Sequence, residues 1–293
     1  MYFHRQELQH AAVPDRPDAV YARKLQEVLG GQYGEISVAL QYQFQAWNMH
    51  IPGKWRDLVF GIGAEEMGHV EMLATMIAQL LEKAPLGITE DAVQDDPAVA
   101  AVVGGTDLQQ AIVAGAGARA VDSMGNPWMG SYITASGNLL ADFTANANAE
   151  MQGRLQAVRL YHMTDDEGVR DLLGFLIARD TMHQNQWLAA VAELQEEGLE
   201  TLPVPGKFPQ RKEDRNVDYE YINFSDGAHA AEGSWASGPT PDGKGEFSYR
   251  DAPEAGVPMP PPTRPDSRYY GTTDLPNTVE EIAAMAQDVT GRE

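Results

Sequence analysis

The sequence predicts an all-α protein: a four-helix bundle with one long crossover, followed by an extended proline-rich C-terminal tail. Three observations predict it. Apolar residues recur at steps of three and four through four long stretches. A segment rich in Gly, Pro and Asp, residues 85–135, separates the first pair from the second. Twelve of the eighteen prolines fall in residues 201–293, which sets that region apart in texture.

The elements follow in order. An arm, residues 1–16, precedes the first helix, which has Pro17 near its start and runs to about residue 50. Gly30, Gly31 and Gly34 break or kink it before YGEISVALQYQFQAWNM resumes it. Residues 54–84 predict a second helix, ~45 Å long at a rise of about 1.5 Å per residue, closed by Pro85 and Gly87. The crossover has room for one short helix at 107–113. A third helix spans about 138–162. Asp165 or Asp166 caps a fourth, which ends near Gly198, and the turn MTDDEG joins the two. Two helices, a long crossover and two more helices make a ferritin-like arrangement over 17–200. The repeat that a helical solenoid needs is absent. In the tail, 201–293, VDYEYINF reads as a short strand and VEEIAAMAQDV as a short terminal helix. Trp235, Phe247, Tyr269 and Tyr270 favour docking of the tail on the bundle and neighbouring subunits.

Composition narrows the function. With 43 acidic and 21 basic side chains, the formal charge is -22. Nucleic acid and anionic membrane surfaces reward clustered Lys and Arg, so neither is an expected partner. There is no cysteine, which leaves His and carboxylate as the strong metal ligands. The N-terminus MYFHRQELQH lacks the apolar core of a signal peptide, and no apolar run approaches the roughly 20 residues that span a bilayer. The expectation is a cytoplasmic, soluble chain.

The informative residues interrupt the apolar stripes. Ile62, Glu66, His69, Leu73, Met76 and Leu80 share one face of the second helix. Val28, Glu35, Val38, Tyr42 and Met49 share a face of the first, and Leu139, Phe143, Glu150, Ala157 and Leu160 a face of the third. On the fourth, the face carries Leu172, Leu176, Asp180, His183, Trp187 and Leu194. One level of the bundle therefore collects Glu35, Glu66, His69, Glu150 and His183. A buried carboxylate is costly unless paired, protonated or bound to metal. Two hard cations suit three carboxylates and two imidazoles, with a Glu able to bridge the pair. Each piece alone has a plainer reading: a Glu-x-x-His is usually a surface pair, a lone His a satisfied core residue, and Tyr42 a core tyrosine. Four helices agreeing is what carries the metal reading. Glu65 and Glu71 lie off the stripe and read as solvated, and His4, His10, His50, His162 and His229 as structural or exposed.

Four blocks resemble the manganese catalases, the non-haem family with a dinuclear manganese centre. They are LGGQYGEISVALQYQFQ, WRDLVFGIGAEEMGHVEM, DSMGNPW with ASGNLLADFTANANAE, and MTDDEGVRDLLGFLIARDTMHQNQW. The resemblance implies a ferritin-like bundle assembled as a hexamer, with the tail embracing other subunits. It implies that Glu66 bridges two manganese ions, that Glu35 and His69 complete one, and that Glu150 and His183 complete the other. Hydrogen peroxide would be disproportionated as the pair cycles between Mn(II)/Mn(II) and Mn(III)/Mn(III). Asp180, one turn before His183, is the candidate outer-sphere acid/base, and Tyr42 a candidate for the layer behind the ligands. Two positions depart from the pattern: Asp180 stands where a glutamate is common, and Ala149 where relatives can carry an arginine. Relatives also bind calcium through residues resembling Asp57, Asn223, Ser225 and Gly227, but here Gly61 replaces a second expected aspartate, which weakens a hard-cation site. Two rival readings remain at this point. Direct coordination by Asp180 would give an Asp-x-x-His nearer a di-iron oxidase or ferroxidase, and the acidic tail would also suit a non-catalytic metal-binding coat or shell protein.

Overall fold

The computed structural model describes residues 4–51, 53–82, 112–198, 217–227, 229–254 and 258–261. The chain divides into two compact units, Met1–Glu213 and Asp214–Glu293.

In the first unit the expected first helix is two helices, α1 (Ala19–Gly30) and α2 (Glu35–Asn48). Asp18 caps α1 by accepting from the Tyr21 amide. The break is built on glycine for a steric reason. A Cβ on Gly30 would stand 2.3 Å from the Val121 carbonyl oxygen, so only a bare backbone lets the crossover pass. Three helices follow: α3 (Lys54–Leu80), α4 (Leu139–Tyr161) and α5 (Glu167–Glu196). Asn138 caps α4 through the Ala141 amide, and Asp166, of the two aspartates considered, caps α5 through the Val169 amide. The crossover helix expected at 107–113 is described only from residue 112, where 112–114 form one helical turn.

Each long helix is apolar, then polar, then apolar. On α3, Trp55, Val59 and Ile62 belong to one core cluster and Met72, Leu73, Met76 and Leu80 to another. Glu66 and His69 lie between them, fully buried. On α5, Leu172 and Leu176 precede Asp180 and His183, and Trp187 and Leu194 follow. Burying each such large side chain stabilises the fold by about 1.5–3 kcal/mol. The two clusters thus clamp a polar layer that could not bury itself.

A buried amide triad sets the register of α2 against α4. Asn146 Oδ1 accepts from Gln41 Nε2 and Gln45 Nε2 at 2.8 Å each, and Asn146 Nδ2 donates to Gln45 Oε1 at 2.7 Å. The end of the crossover closes the network: the Thr134 amide donates to Gln41, and Gln45 donates to the Thr134 carbonyl.

The second unit adds a small sheet to the helix-rich fold. It carries a three-stranded sheet in the order β1-β3-β2. The strands are β1 (Glu220–Ile222), β2 (Gly238–Pro239) and β3 (Glu246–Arg250). The strand read in VDYEYINF is β1, paired in parallel with β3, while β2 pairs with β3 antiparallel. From Glu246 to Tyr249, exposed and half-buried side chains alternate, the period of a strand. Tyr221 meets Tyr249 edge to face, and Arg250 pairs with Glu220. Phe247 is half-buried and Trp235 exposed. The terminal helix read in VEEIAAMAQDV, with Tyr269 and Tyr270, lies outside the described residues.

Candidate metal centre

The five expected residues come together. Glu35 is the first residue of α2, Glu66 and His69 sit mid-way along α3, Glu150 on α4 and His183 on α5. They form two donor sets, Glu35/Glu66/His69 and Glu66/Glu150/His183, and within each set the donor atoms lie within 4.8 Å of one another. Glu66 belongs to both. Its Oε2 lies 2.6 Å from His69 Nδ1 and its Oε1 lies 2.5 Å from His183 Nδ1. The two rings face each other with centroids 5.8 Å apart.

Three of these inward or flanking atoms are buried without a hydrogen bond among the described residues: Glu66 Oε1, His183 Nδ1 and His69 Nε2. An orphaned buried polar atom costs about 1–3 kcal/mol. Glu66 Oε1 and His183 Nδ1 face each other, a crowding of lone pairs that a cation would relieve, whereas His69 Nε2 points away toward Glu65. The donors are carboxylate oxygens and imidazole nitrogens with no sulfur, which suits a hard or borderline divalent ion such as manganese.

The electrostatics of the metal-free chain tell the same story. Burial, then the Glu66 charge, raises the Glu35 carboxyl to about 8. Burial, Glu66 and Asp180 push Glu150 well up. Burial opposes the charged form of His69, but Glu66 and Glu35 outweigh it and raise that imidazole to about 11. His183 is raised in the same way, chiefly by Glu66 against burial. Glu66 itself is held well below its ordinary value, because the two imidazoles overcome its desolvation. The raised proton affinities of Glu35, Glu150, His69 and His183 mark a place that favours added positive charge, which divalent cations would supply.

A second layer holds the donors. Tyr42 Oη donates to Glu150 Oε1 at 2.5 Å, and Trp187 Nε1 donates to the same oxygen at 3.3 Å. Tyr42 is fully buried, 5.0 Å from the Trp187 ring, and thus stands behind a donor as well as in the core. Asp180 is buried and has no hydrogen-bond partner among the described residues. Burial, then the charges of Glu35 and Glu66, hold its carboxyl well above the ordinary range. Ala149 is buried in the cluster with Tyr42, Phe143 and Trp187, and brings no cation to the site.

One residue departs from its expected place. Glu65, read as solvated, keeps only 20 % of its side chain exposed and faces the outer nitrogens of both histidines. Its Oε2 lies 3.1 Å from His183 Nε2 and its Oε1 3.8 Å from His69 Nε2. Arg179 donates to Oε1 at 2.6 Å and to Oε2 at 3.2 Å, and Gln9 of the N-terminal arm donates to Oε1 at 2.8 Å. Burial would raise Glu65, but the bonds from Arg179, Gln9 and His183 hold it at about 2. Glu65 falls off the apolar stripe because it faces the outer nitrogens of the two histidines; its place four residues before His69 is the sequence signal for that contact. The other histidines stay outside the centre. His4 pairs with Glu71 at 2.8 Å and His10 with Asp171 at 2.8 Å, both partly exposed.

The calcium candidates are less developed. Asp57 lies in the first turn of α3. Asn223, Ser225 and Gly227 share a turn in the second unit, where Asn223 Oδ1 already accepts from the Ser225 amide. No described helix is long and apolar enough to cross a membrane.

Comparison with known proteins agrees with this geometry. The profile of the family described as manganese containing catalase matches residues 1–287. The manganese catalase of Bacillus subtilis (strain 168) is 55% identical over 249 residues, covering 85% of this chain and 90% of that one. The manganese catalase of Lactiplantibacillus plantarum is 43% identical over 271 residues, covering 90% and 97%. The crystal structure of KatB, a manganese catalase from Anabaena, superposes with a TM-score of 0.67 at 27% identity, covering 86% of this chain and all of that one. A family match across almost the whole length, on a helical bundle that buries two carboxylate–imidazole sets, places this chain in the manganese-containing catalase family.

Proposed function

We propose that this chain disproportionates hydrogen peroxide to water and dioxygen at two manganese ions held by Glu35, Glu66, His69, Glu150 and His183. Glu66 is shared between the two. The observation that carries the ligand assignment is the single fully buried carboxylate with one oxygen against each imidazole. Bound as a pair, the ions supply a two-electron couple between Mn(II)/Mn(II) and Mn(III)/Mn(III), so one peroxide is reduced and a second oxidised with no outside electron donor.

The side chains handle the rest. Reducing one peroxide to two waters consumes two protons, and oxidising the next to dioxygen returns two. Asp180 is suited to carry one of them: it is buried, its carboxyl is held well above the ordinary range by burial and the neighbouring charges, and it lies one turn from His183. With Ala149 apolar, no neighbouring cation at that position competes for the role. Tyr42 and Trp187 both bond Glu150 Oε1 and so leave Oε2 for the centre, 3.9 Å from His183 Nδ1. The apolar clusters on either side exclude bulk water from the polar layer.

Elemental analysis of protein from manganese-supplemented cells, with oxygen evolution followed on the same sample, tests this. About two manganese per chain with dioxygen release supports it. Iron in place of manganese, or metal without turnover, refutes it. Neither the di-iron nor the coat-protein reading is favoured by the manganese catalases named above.

The wider proposal is a homohexamer in the cytoplasm that removes peroxide under oxidative stress. Its bundle spans 17–200, with the arm 1–16 before it and the tail 201–293 packed on neighbouring subunits. Light scattering of the purified chain checks the oligomer. Calcium binding is disfavoured at Gly61, which supplies no carboxylate, although nothing within 4 Å would obstruct a side chain there.

A further inference from the structure

Both histidines of the centre point the same way round. In each, Nδ1 faces Glu66 and Nε2 faces outward toward Glu65. An imidazole can present a lone pair at Nδ1 only when its other nitrogen keeps the hydrogen, and that tautomer is set by whatever accepts from Nε2. For His183 the acceptor is Glu65 Oε2 at 3.1 Å. His69 Nε2 is buried and has no hydrogen bond, and Glu65 Oε1, 3.8 Å away, is the carboxylate oxygen within 4 Å of it among the described residues.

Glu65 is fixed from behind. Arg179 grips it with two N–H groups, and Gln9 reaches in from the arm. The fork of a guanidinium leaves a carboxylate little freedom to rotate, so its two oxygens keep their assignments. A floating carboxylate could serve either ring; a clamped one can serve both at once.

We propose that Glu65, clamped by Arg179 and Gln9, is a positioning residue that serves both halves of the centre, holding His183 by a direct bond and His69 by its neighbouring oxygen so that each ring offers Nδ1 inward. This rests on the assignment of the two histidines as manganese ligands. The consequence is that the two metal positions share one outer support as well as one inner bridge. Removing that support should loosen both ions together, although only one imidazole makes the short contact.

The test is the chelator resistance of manganese in the full-length holoprotein, with paired and single Mn(II) distinguished by electron paramagnetic resonance. Glu65→Gln keeps the shape but offers one acceptor oxygen instead of two. At least one of its neighbours then faces an NH2 group. In that variant both ions should leave at chelator concentrations about 10–100-fold lower than in the wild type, the usual cost of losing a partner behind a metal ligand. Arg179→Leu should move the same way by less, and Arg179→Lys should recover part of the loss. If Glu65→Gln does not fold, as judged by circular dichroism, the two Arg179 variants carry the test. Paired manganese held as tightly as in the wild type, in folded Glu65→Gln or in Arg179→Leu, overturns the proposal. So does loss of one ion while the other stays at wild-type affinity. A wild type that binds no manganese would instead sink the proposed function, so the two failures are distinguishable.

Discussion

The two donor sets of the candidate centre use the same residue types but are held differently. Glu150 is anchored in mid-helix on α4, and its outer oxygen accepts from both Tyr42 and Trp187. Glu35 is the first residue of α2, just after the glycine break, and no side chain outside the donor sets bonds its carboxylate among the described residues. One carboxylate is therefore braced from outside the donor sets and the other is not.

The largest expected effect removes what the halves have in common. Glu66→Gln should abolish both paired manganese binding and oxygen evolution, measured by elemental analysis and an oxygen electrode; full retention of either removes Glu66 from the shared position. Asp180→Ala comes next. It should keep both ions yet slow turnover by about 10²–10⁴-fold, the range for losing a positioned acid/base. Loss of metal in that variant would promote Asp180 to a ligand. Tyr42→Phe probes the asymmetry directly. It should weaken metal binding by roughly 10–100-fold on the Glu150 side and leave the Glu35 side intact, which stepwise manganese titration would resolve. Equal weakening on both sides would erase the distinction.

The smallest effect concerns the metal-free protein. Glu35 and His69 have folded pKa values of about 8 and about 11, above their ordinary ones. The folded chain therefore binds more protons than the unfolded chain. Their contribution to stability is complete below the ordinary values and is lost as pH rises through the folded ones. Thermal melts should fall by about 2–4 °C for each kcal/mol lost between pH 5 and 9, and added manganese should reverse the trend. A melting temperature that rises over that range would contradict the protonation pattern.

The site was largely legible in the sequence because a buried acid within an apolar period is conspicuous. Glu35, Glu66, His69, Glu150 and His183 each interrupt a stripe, and each proved to be buried beside the others. Glu65 was not legible in this way. It falls one position off the stripe, and its partners Arg179 and Gln9 are far away in sequence, so only the packed bundle brings them together. The strand β1 could be read from its aromatic and β-branched content, but its parallel register against β3 depends on a pairing that no local pattern encodes. The split of the first helix was marked by glycines, but one reason for a glycine there was hidden: the close pass of Val121 beside Gly30.

The amide triad of Gln41, Gln45 and Asn146 adds a different kind of constancy. These side chains satisfy one another and the Thr134 backbone with groups that neither gain nor lose a proton at any physiological pH. Asn146 lies one turn before Glu150, and Gln41 beside Tyr42. The joint between α2 and α4 therefore works like an alignment dowel, indifferent to acid and to metal. While the neighbouring carboxylates trade protons for cations, it keeps Tyr42 opposite Glu150, so an empty centre is already in register for refilling.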